Sequence, residues 1–265
     1  MNLRVHRFGA GALLLVTTLA LVAPFVSPYA VDAIDLASIK KAPSGAHPMG
    51  TDELGRDEAT RVLIGARLSL AIGLAGALVA TLVGAGLGSL SGFYGGIIDG
   101  ALMRLVDLQL SVPILPVLIV ISAITRPSVA VLIVMVASFA WMEPARITRG
   151  EFLRLKEQAF TEAAKAVGAS DIRVIGRHLL PNALTPLTVA AALLVGRVIV
   201  MESVLSFLGL GVQPPEPSLG NLLYGAQASL ATEPWLAVFP GIFIFWIVLG
   251  VNLVADGLTD VSDQL

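Results

Sequence analysis

The sequence predicts an all-α protein that crosses a membrane with six helices. Of its 265 residues, 56% are apolar and 14% are charged, and the mean hydropathy is +0.85. A soluble globular chain is about one quarter charged because its surface faces water. The composition therefore excludes an ordinary soluble enzyme and a disordered chain, and the absence of cysteine excludes a disulfide scaffold. The net charge of −2 does not distinguish between these classes of protein.

Six segments are long and apolar enough to cross a bilayer, which requires about 20 residues in a helix. They cover residues 8–26, 68–92, 105–124, 128–145, 183–207 and 236–255. The first follows Arg4 and Arg7 and could be a signal peptide. Its apolar run continues to Val26, longer than the usual core of a signal peptide, so we predict a membrane span.

Two of these spans carry residues that affect helix packing. The second contains Gly84, Gly88 and Gly92 at i+4 spacing, which lets a neighbouring helix approach closely in lipid. We expect this ridge to pack against a helix rather than to contact a ligand. The third contains Pro113 and Pro116, which remove backbone donors and predict a kinked or locally unwound span.

The distribution of Lys and Arg predicts which side of the membrane each end occupies. With an even number of spans, both termini lie on one side. Ten Lys and Arg residues fall on the side of the termini and six on the other, and Arg126 is one of the six. The excess predicts that both termini are cytoplasmic.

Residues 146–182 are too polar for the membrane and form the longest cytoplasmic segment of this prediction. Their apolar residues recur at helical spacing on both sides of Gly168. We expect two short helices that meet at a glycine turn, the second running from Asp171 to Leu180 and ending at Pro181. Such an element can dock into a partner's groove or lie at the lipid headgroups.

Within this segment, EAAKAVGASDIRVIGRHLLPN, residues 162–182, resembles the EAA motif of ABC importer permeases. That motif has Glu-Ala-Ala, a glycine four residues later and Leu-Pro twelve residues after the glycine. Segments 47–70, 92–113 and 202–220 are similar to the DppC/OppC-like branch, which includes dipeptide, oligopeptide and nickel importers. Thr259 stands where that branch commonly has arginine, so an inner-face salt bridge of the family is in doubt here.

The resemblance implies a type I ABC importer permease fold and a coupling role for the EAA segment. In the family this segment sits in a cleft of a cytoplasmic ATPase subunit. The corresponding residues here are Glu162, Ala163, Ala164, Gly168 and Pro181. The implied partners are a DppB-like second permease, two ABC ATPase subunits and an extracytoplasmic substrate-binding protein, with membrane lipid around them and no nucleic acid.

No chemistry of its own is expected from this chain. It has no G-x-x-x-x-G-K-[ST] loop to hold nucleotide phosphates, no metal-ligand spacing and no nucleophile–base pair. We therefore expect no catalytic residue, no metal and no bound cofactor, with ATP and Mg²⁺ held by the ATPase subunits. The three histidines are expected to be structural or exposed.

The external segment 50–61 allows two interpretations. It is either a solvated loop that caps the second span or a contact for a binding protein or the paired permease, through Asp52, Arg56 and Asp57. Farther along, residues 219–230 predict a helix that lies on the outer face.

Arg197 is the most unusual residue within a predicted span, because a charge at mid-bilayer costs roughly 2.5–3.5 kcal/mol on insertion scales. It either lines the pathway or binds a substrate carboxylate, or else it packs against the partner permease or snorkels outward. Glu202, five residues on, is a second candidate for a pathway or partner contact. It lies about 140° around the helix from Arg197, so the two cannot pair simply.

These observations favour a permease subunit of an ATP-driven importer for peptides or a similar small solute in the cytoplasmic membrane. We expect residues 1–60 to form an N-terminal span with an external loop, and residues 61–265 to form the permease core. The alternative is a stand-alone secondary transporter or channel, which predicts charged relays within the membrane and internal symmetry. The sequence leaves open whether the cargo is a dipeptide, an oligopeptide, a nickel chelate or a haem-like compound.

Overall fold

A computed structural model describes residues 3–125 and 128–262, so Arg126 of the charge count lies outside the described part. The described residues form eleven α-helices and no β-strand. The helices are α1 Leu3–Val26, α2 Glu58–Tyr94, α3 Gly96–Ser111, α4 Ile114–Thr125, α5 Val129–Ala140, α6 Met142–Lys156, α7 Ala159–Ala166, α8 Asp171–Arg173, α9 Leu180–Phe207, α10 Leu219–Ala226 and α11 Trp235–Ser262.

The six predicted spans correspond to four continuous helices and two bent pairs. Segments 8–26, 58–94, 171–207 and 235–259 are each long and apolar enough to cross a membrane alone. The pairs α3–α4 and α5–α6 bring the count to six when each pair is one span. The predicted number of spans therefore agrees with the structure under that condition.

A proline accompanies each of the two bends. Helices α3 and α4 meet at 82° around Val112 and Pro113, and the proline cannot donate the backbone hydrogen bond that would continue α3. The predicted kink or local unwinding of the span over residues 105–124 is therefore confirmed at Pro113. Helices α5 and α6 meet at 44° near Trp141, where Pro144 in the first turn of α6 cannot donate to the carbonyl of Ala140, the last residue of α5.

Helix α2 is the centre of the fold, and its glycine ridge faces α6. A Cβ added at Gly84 would lie 2.4 Å from the carbonyl oxygen of Trp141, and one at Gly88 would lie 2.3 Å from that of Ala145. At Gly92 it would lie 2.6 Å from the Cβ of Phe152. Only glycine permits these approaches, so the prediction of a helix-packing ridge is confirmed.

The helices run between two ends of the molecule, which we call the loop end and the terminal end. At the loop end, residues 27–57 connect α1 to α2, and Ser27 hydrogen-bonds Thr60 at 2.5 Å. At the terminal end, the His6 ring lies 3.1 Å from the carbonyl oxygen of Leu253, which brings the beginning of α1 to the end of α11. The beginning of α1 and the end of α11 therefore lie at the same end of the molecule, together with the segment that follows α6.

Candidate coupling element and charged groups of the spans

The EAA segment lies at the terminal end and begins with the predicted short helix. Helix α7 carries Glu162 in its first turn and Lys165 in its last turn, an order that suits the helix dipole. Gly168 ends the turn after α7 with φ of +81°, a left-handed conformation that glycine adopts without strain. The helix and its glycine turn thus agree with the prediction.

The second predicted helix does not end at Pro181, and this expectation was wrong. Helix α8 continues through a π-helical turn, Val174–Leu179, directly into α9, and Pro181 lies in the first turn of α9. In the π turn, the N–H of Leu180 bonds the carbonyl of Ile175, five residues back. A wider turn of this kind accommodates a proline that would otherwise clash with the carbonyl four residues before it. The segment is therefore continuous with a membrane-spanning helix.

A small apolar cluster fixes the EAA segment to the spans. It is separate from the main core and takes residues from α2, α6, α7, the π turn and α9, namely Phe93, Phe152, Leu155, Ala164, Val174, Leu179 and Ala183. Phe152, Val174 and Leu179 are fully buried. Ala164 belongs to this cluster, so of the predicted coupling residues it faces inward and supports the element.

The opposite side of the same element is exposed. Glu162, Ala163 and Gly168 are open to solvent. Beside them, 85% of Val167 and 83% of Ile172 are exposed, so two large apolar side chains lie on the surface of a segment that is too polar for the membrane. Ile172 was not among the residues predicted to take part in coupling, although its place in a polar segment near the glycine turn was a usable signal. We call Ala163, Val167 and Ile172 the apolar tip.

Arg197 pairs with a residue that the sequence analysis missed. Its Nη1 donates to the Glu143 carboxylate at the start of α6, directly after the α5–α6 bend. The side chains of Arg197 and Glu143 are 54% and 47% exposed on this chain. Glu143 lies at the end of an otherwise uncharged run, and that isolation was the signal that could have found it.

Glu202 lies in a different environment from Arg197, and the expectation that these two do not pair is confirmed. Glu202 is 0% exposed. Its two carboxylate oxygens accept hydrogen bonds from Ser206 at 2.6 Å and from Ser69 at 3.1 Å. The Ser69 hydroxyl in turn accepts from the backbone N–H of Leu219 at 3.2 Å. In this conformation Glu202 thus joins α2, α9 and α10 and lines no exposed face.

At the loop end, Asp57 caps α2. Its carboxylate accepts from the backbone N–H of Thr60 at 2.9 Å and from the Thr60 hydroxyl at 2.7 Å. The other carboxylate oxygen lies 2.9 Å from Nδ1 of His47, whose ring stacks on Tyr29. This capping bond agrees with the first interpretation of segment 50–61, and the histidine is structural as expected.

Asp52 and Arg56 are also held within the loop. Asp52 accepts from the Arg56 side chain at 2.6 Å and from two backbone N–H groups, and the Arg61 side chain lies 3.5 Å away. Asp52 and Asp57 are both buried, so the capping part of the first interpretation agrees with the structure, but the expectation of a solvated loop was wrong at these residues. A contact with a binding protein through these residues remains a prediction.

Two further segments complete the comparison with the sequence. The helix predicted over residues 219–230 is present as α10 followed by a 3₁₀ turn, Gln227–Ser229. The Thr259 hydroxyl donates to the carbonyl of Ala255 at 3.2 Å, within its own helix. Among the residues that the structure describes, no three His, Asp or Glu side chains are placed to bind a metal ion.

Comparison with known proteins places the chain among transport components. Residues 84–265 match the family described as binding-protein-dependent transport system inner membrane component. The chain is 38% identical to the glutathione transport system permease protein GsiD of Pectobacterium atrosepticum, over 98% of this chain and 88% of GsiD. It is 37% identical to the oligopeptide transport system permease protein OppC of Mycobacterium bovis, over 95% of this chain and 87% of OppC.

The fold has a counterpart of known structure. A chain of the MetNI methionine ABC transporter in an inward-facing conformation superposes with a TM-score of 0.62 and 20% identity, over 76% of this chain and 95% of that one. This similarity confirms the predicted type I ABC importer permease fold. Because the family match covers more than half of the chain, and the two relatives align over almost all of it, the chain belongs to the binding-protein-dependent transport system inner membrane components.

Proposed function

We propose that this chain is the permease subunit of an ATP-driven importer for peptides or a closely similar solute, and that the EAA segment couples it to a separate ATPase. The observation that carries the proposal is the apolar tip, an exposed hydrophobic surface on a rigidly supported element. The names of the relatives, a glutathione permease and an oligopeptide permease, support a peptide cargo.

The apolar tip has the character of a protein-docking surface. Val167 and Ile172 are almost fully exposed on either side of Gly168. Burying one such side chain completely contributes about 1.5–3 kcal/mol, so covering both would stabilise a complex substantially. Glu162 is exposed on the same helix and can pair with a basic residue at the edge of a groove.

The base of the element suits the transmission of movement. Ala164 and the other residues of the small apolar cluster hold α7 against α6 and α9. The π turn joins this unit to α9 without a flexible link. A displacement of α7 by a partner would therefore move α9 as part of one body, which is how closure of two ATPases could switch the spans between inward-open and outward-open.

The remaining assignments follow from this arrangement. Both termini and the EAA segment face the cytoplasm, where the ATPase subunits bind ATP and Mg²⁺, while this chain binds no nucleotide. A DppB-like permease completes the membrane part, and a binding protein delivers the solute to the loop end. The positive charges of the EAA segment and of the N-terminal residues Arg4 and Arg7 support this orientation.

The test is a charge placed on the apolar tip of the assembled transporter. Val167→Asp changes an exposed side chain and should leave the fold intact. We expect it to reduce co-purification of the ATPase subunits and to lower the ATP hydrolysis that the loaded binding protein stimulates, by about tenfold or more. Val167→Ala should retain most of both because it adds no charge.

Ile34→Asp is the matched control, since it charges an exposed apolar residue at the loop end. We expect this variant to keep its ATPase subunits. Co-purification of the ATPase at the wild-type level in Val167→Asp, together with wild-type stimulated hydrolysis, would refute the coupling role. Loss of the ATPase in both aspartate variants would show a general destabilisation and would also contradict the assignment to the tip.

A further inference from the structure

The Arg197–Glu143 ion pair lies at the level of the membrane on an exposed face of the chain. Arg197 is the eighteenth residue of the 28 in α9, and Glu143 follows the bend between α5 and α6. Both side chains are about half exposed. Even on permissive scales, a charge that faces lipid costs roughly 2.5–3.5 kcal/mol. In the assembled transporter this face is therefore covered by water or by protein.

Two concave surfaces meet at Arg197. One has a volume of about 360 Å³ and includes Gln109 of α3 and Glu143. The other has a volume of about 570 Å³ and includes Asn252 and Asp256 of α11. Four helices thus contribute polar side chains to one strip that crosses an otherwise apolar surface. A polar strip of this kind, with a concave surface on each side of its charged centre, is typical of a water-filled path for a solute.

The guanidinium of Arg197 has capacity for a second anion. Among the described residues, only its Nη1 has a hydrogen-bond partner, the Glu143 carboxylate. Arginine carries five N–H donors in a planar fork, which matches a carboxylate with two parallel hydrogen bonds. In this structure the Glu143 carboxylate neutralises the charge of Arg197, and a second carboxylate can share or replace that contact.

We infer that the Arg197–Glu143 pair lines the solute path and that Arg197 binds the carboxylate of the transported solute. The inference rests on the proposed function, because a peptide carries a free carboxylate at its C-terminus. Arg197 would then be a point at which this chain contacts the cargo. Glu143 would compete with the carboxylate of the cargo for Arg197. The expected ligand class is a small solute with at least one carboxylate.

A single introduced cysteine can test this directly, since the chain has none of its own. Val200 lines the larger concave surface, one helical turn from Arg197, and 43% of it is exposed. We would place Val200→Cys in the complete transporter with cysteine-free partners in proteoliposomes, and measure its reaction with an anionic and a cationic methanethiosulfonate. Both reagents require water at the site.

We expect both reagents to react, with rates that depend on the pair. Arg197→Gln leaves Glu143 unneutralised and should lower the ratio of the anionic to the cationic rate by about threefold or more, the Coulomb effect of one charge at helical-neighbour spacing in water. Glu143→Gln should raise the same ratio. These opposite shifts cannot both come from misfolding. Arg67→Gln, at the loop end, should leave the ratio unchanged.

Dialanine and dialanine amide test the ligand class. Dialanine should slow the anionic reagent at Val200→Cys, and the amide should not. Equal protection by both, or by neither, would overturn the carboxylate assignment. The cysteine of Val200→Cys could instead react with a membrane-permeant maleimide but with neither charged reagent. That result would refute the claim that the pair lines the solute path and would place the pair against protein or lipid.

ATP hydrolysis in the same proteoliposomes separates the two proposals. If the binding protein stimulates hydrolysis while Val200→Cys stays unreactive to charged reagents, only this inference fails. If the cysteine-free transporter shows no stimulation in the first place, the proposed function fails.

Discussion

The glycine ridge on α2 gives the sharpest prediction about stability. In Gly88→Ala the new Cβ would lie 2.3 Å from the carbonyl oxygen of Ala145 and 2.9 Å from the Cβ of Thr148. Favourable contacts between carbon atoms lie at about 3.5–4.0 Å, so α2 and α6 must separate. Because the nearest atom belongs to the backbone and cannot rotate away, we expect a cost near the upper limit of overpacking, about 3 kcal/mol.

Gly86→Ala is the matched control on the same helix. An added Cβ at Gly86 meets no atom within 4 Å, so the change only removes the conformational freedom of glycine. That effect stabilises a helix by about 0.5–1 kcal/mol. The two alanine variants should therefore differ by about 3–4 kcal/mol in the free energy of unfolding.

Thermal unfolding of the detergent-solubilised protein, followed by the fraction that stays monodisperse in size-exclusion chromatography, measures this difference. For a chain of this size we expect the midpoint of Gly88→Ala to lie roughly 10 °C below that of Gly86→Ala. Equal midpoints for the two variants would refute the close packing of α2 on α6 and the central position of α2 in the fold.

Two further predictions concern buried polar groups and use the same thermal assay. Asp57→Ala removes the cap of α2 and the partner of His47 and should lower the free energy of unfolding by at least about 1 kcal/mol. Asp32→Ala, at an exposed site at the same end, should leave it unchanged. Equal effects of the two variants would contradict the capping role. Glu202→Ala leaves two buried serine hydroxyls without an acceptor and should cost about 1–3 kcal/mol for each, whereas Glu202→Gln keeps one acceptor oxygen and should cost less. An alanine variant as stable as the wild type would show that Glu202 does not hold α2 and α9 together.

The sequence predicted those parts of the fold that depend on local composition and spacing. The six apolar segments, the glycine ridge and the kink at Pro113 agree with the structure because each follows from residues close together in the chain. Helix α2 begins at Glu58, ten residues before the predicted span, because Asp57 caps it outside the apolar run. Composition identifies the membrane-buried part of a helix but not its extension beyond that part.

The parts that failed depend on contacts between distant residues or on irregular backbone. Pro181 indicated a helix end, but a π turn accommodates it and keeps the EAA segment continuous with α9. Glu143 and Arg197 are 54 residues apart, so neither position indicates the other before the helices are packed. The inward orientation of Ala164 also required the fold, since the cluster that buries it takes residues from four other segments.

The central claim is that the apolar tip binds a separate ATPase, and site-specific cross-linking tests it most directly. Val167→Cys, in a chain without other cysteines, can carry a photoreactive benzophenone into the assembled transporter. We expect a cross-linked product that contains this chain and an ATPase subunit, and no such product from benzophenone at Ile34→Cys. Cross-links from Val167→Cys to lipid alone, in a transporter that hydrolyses ATP normally, would contradict it.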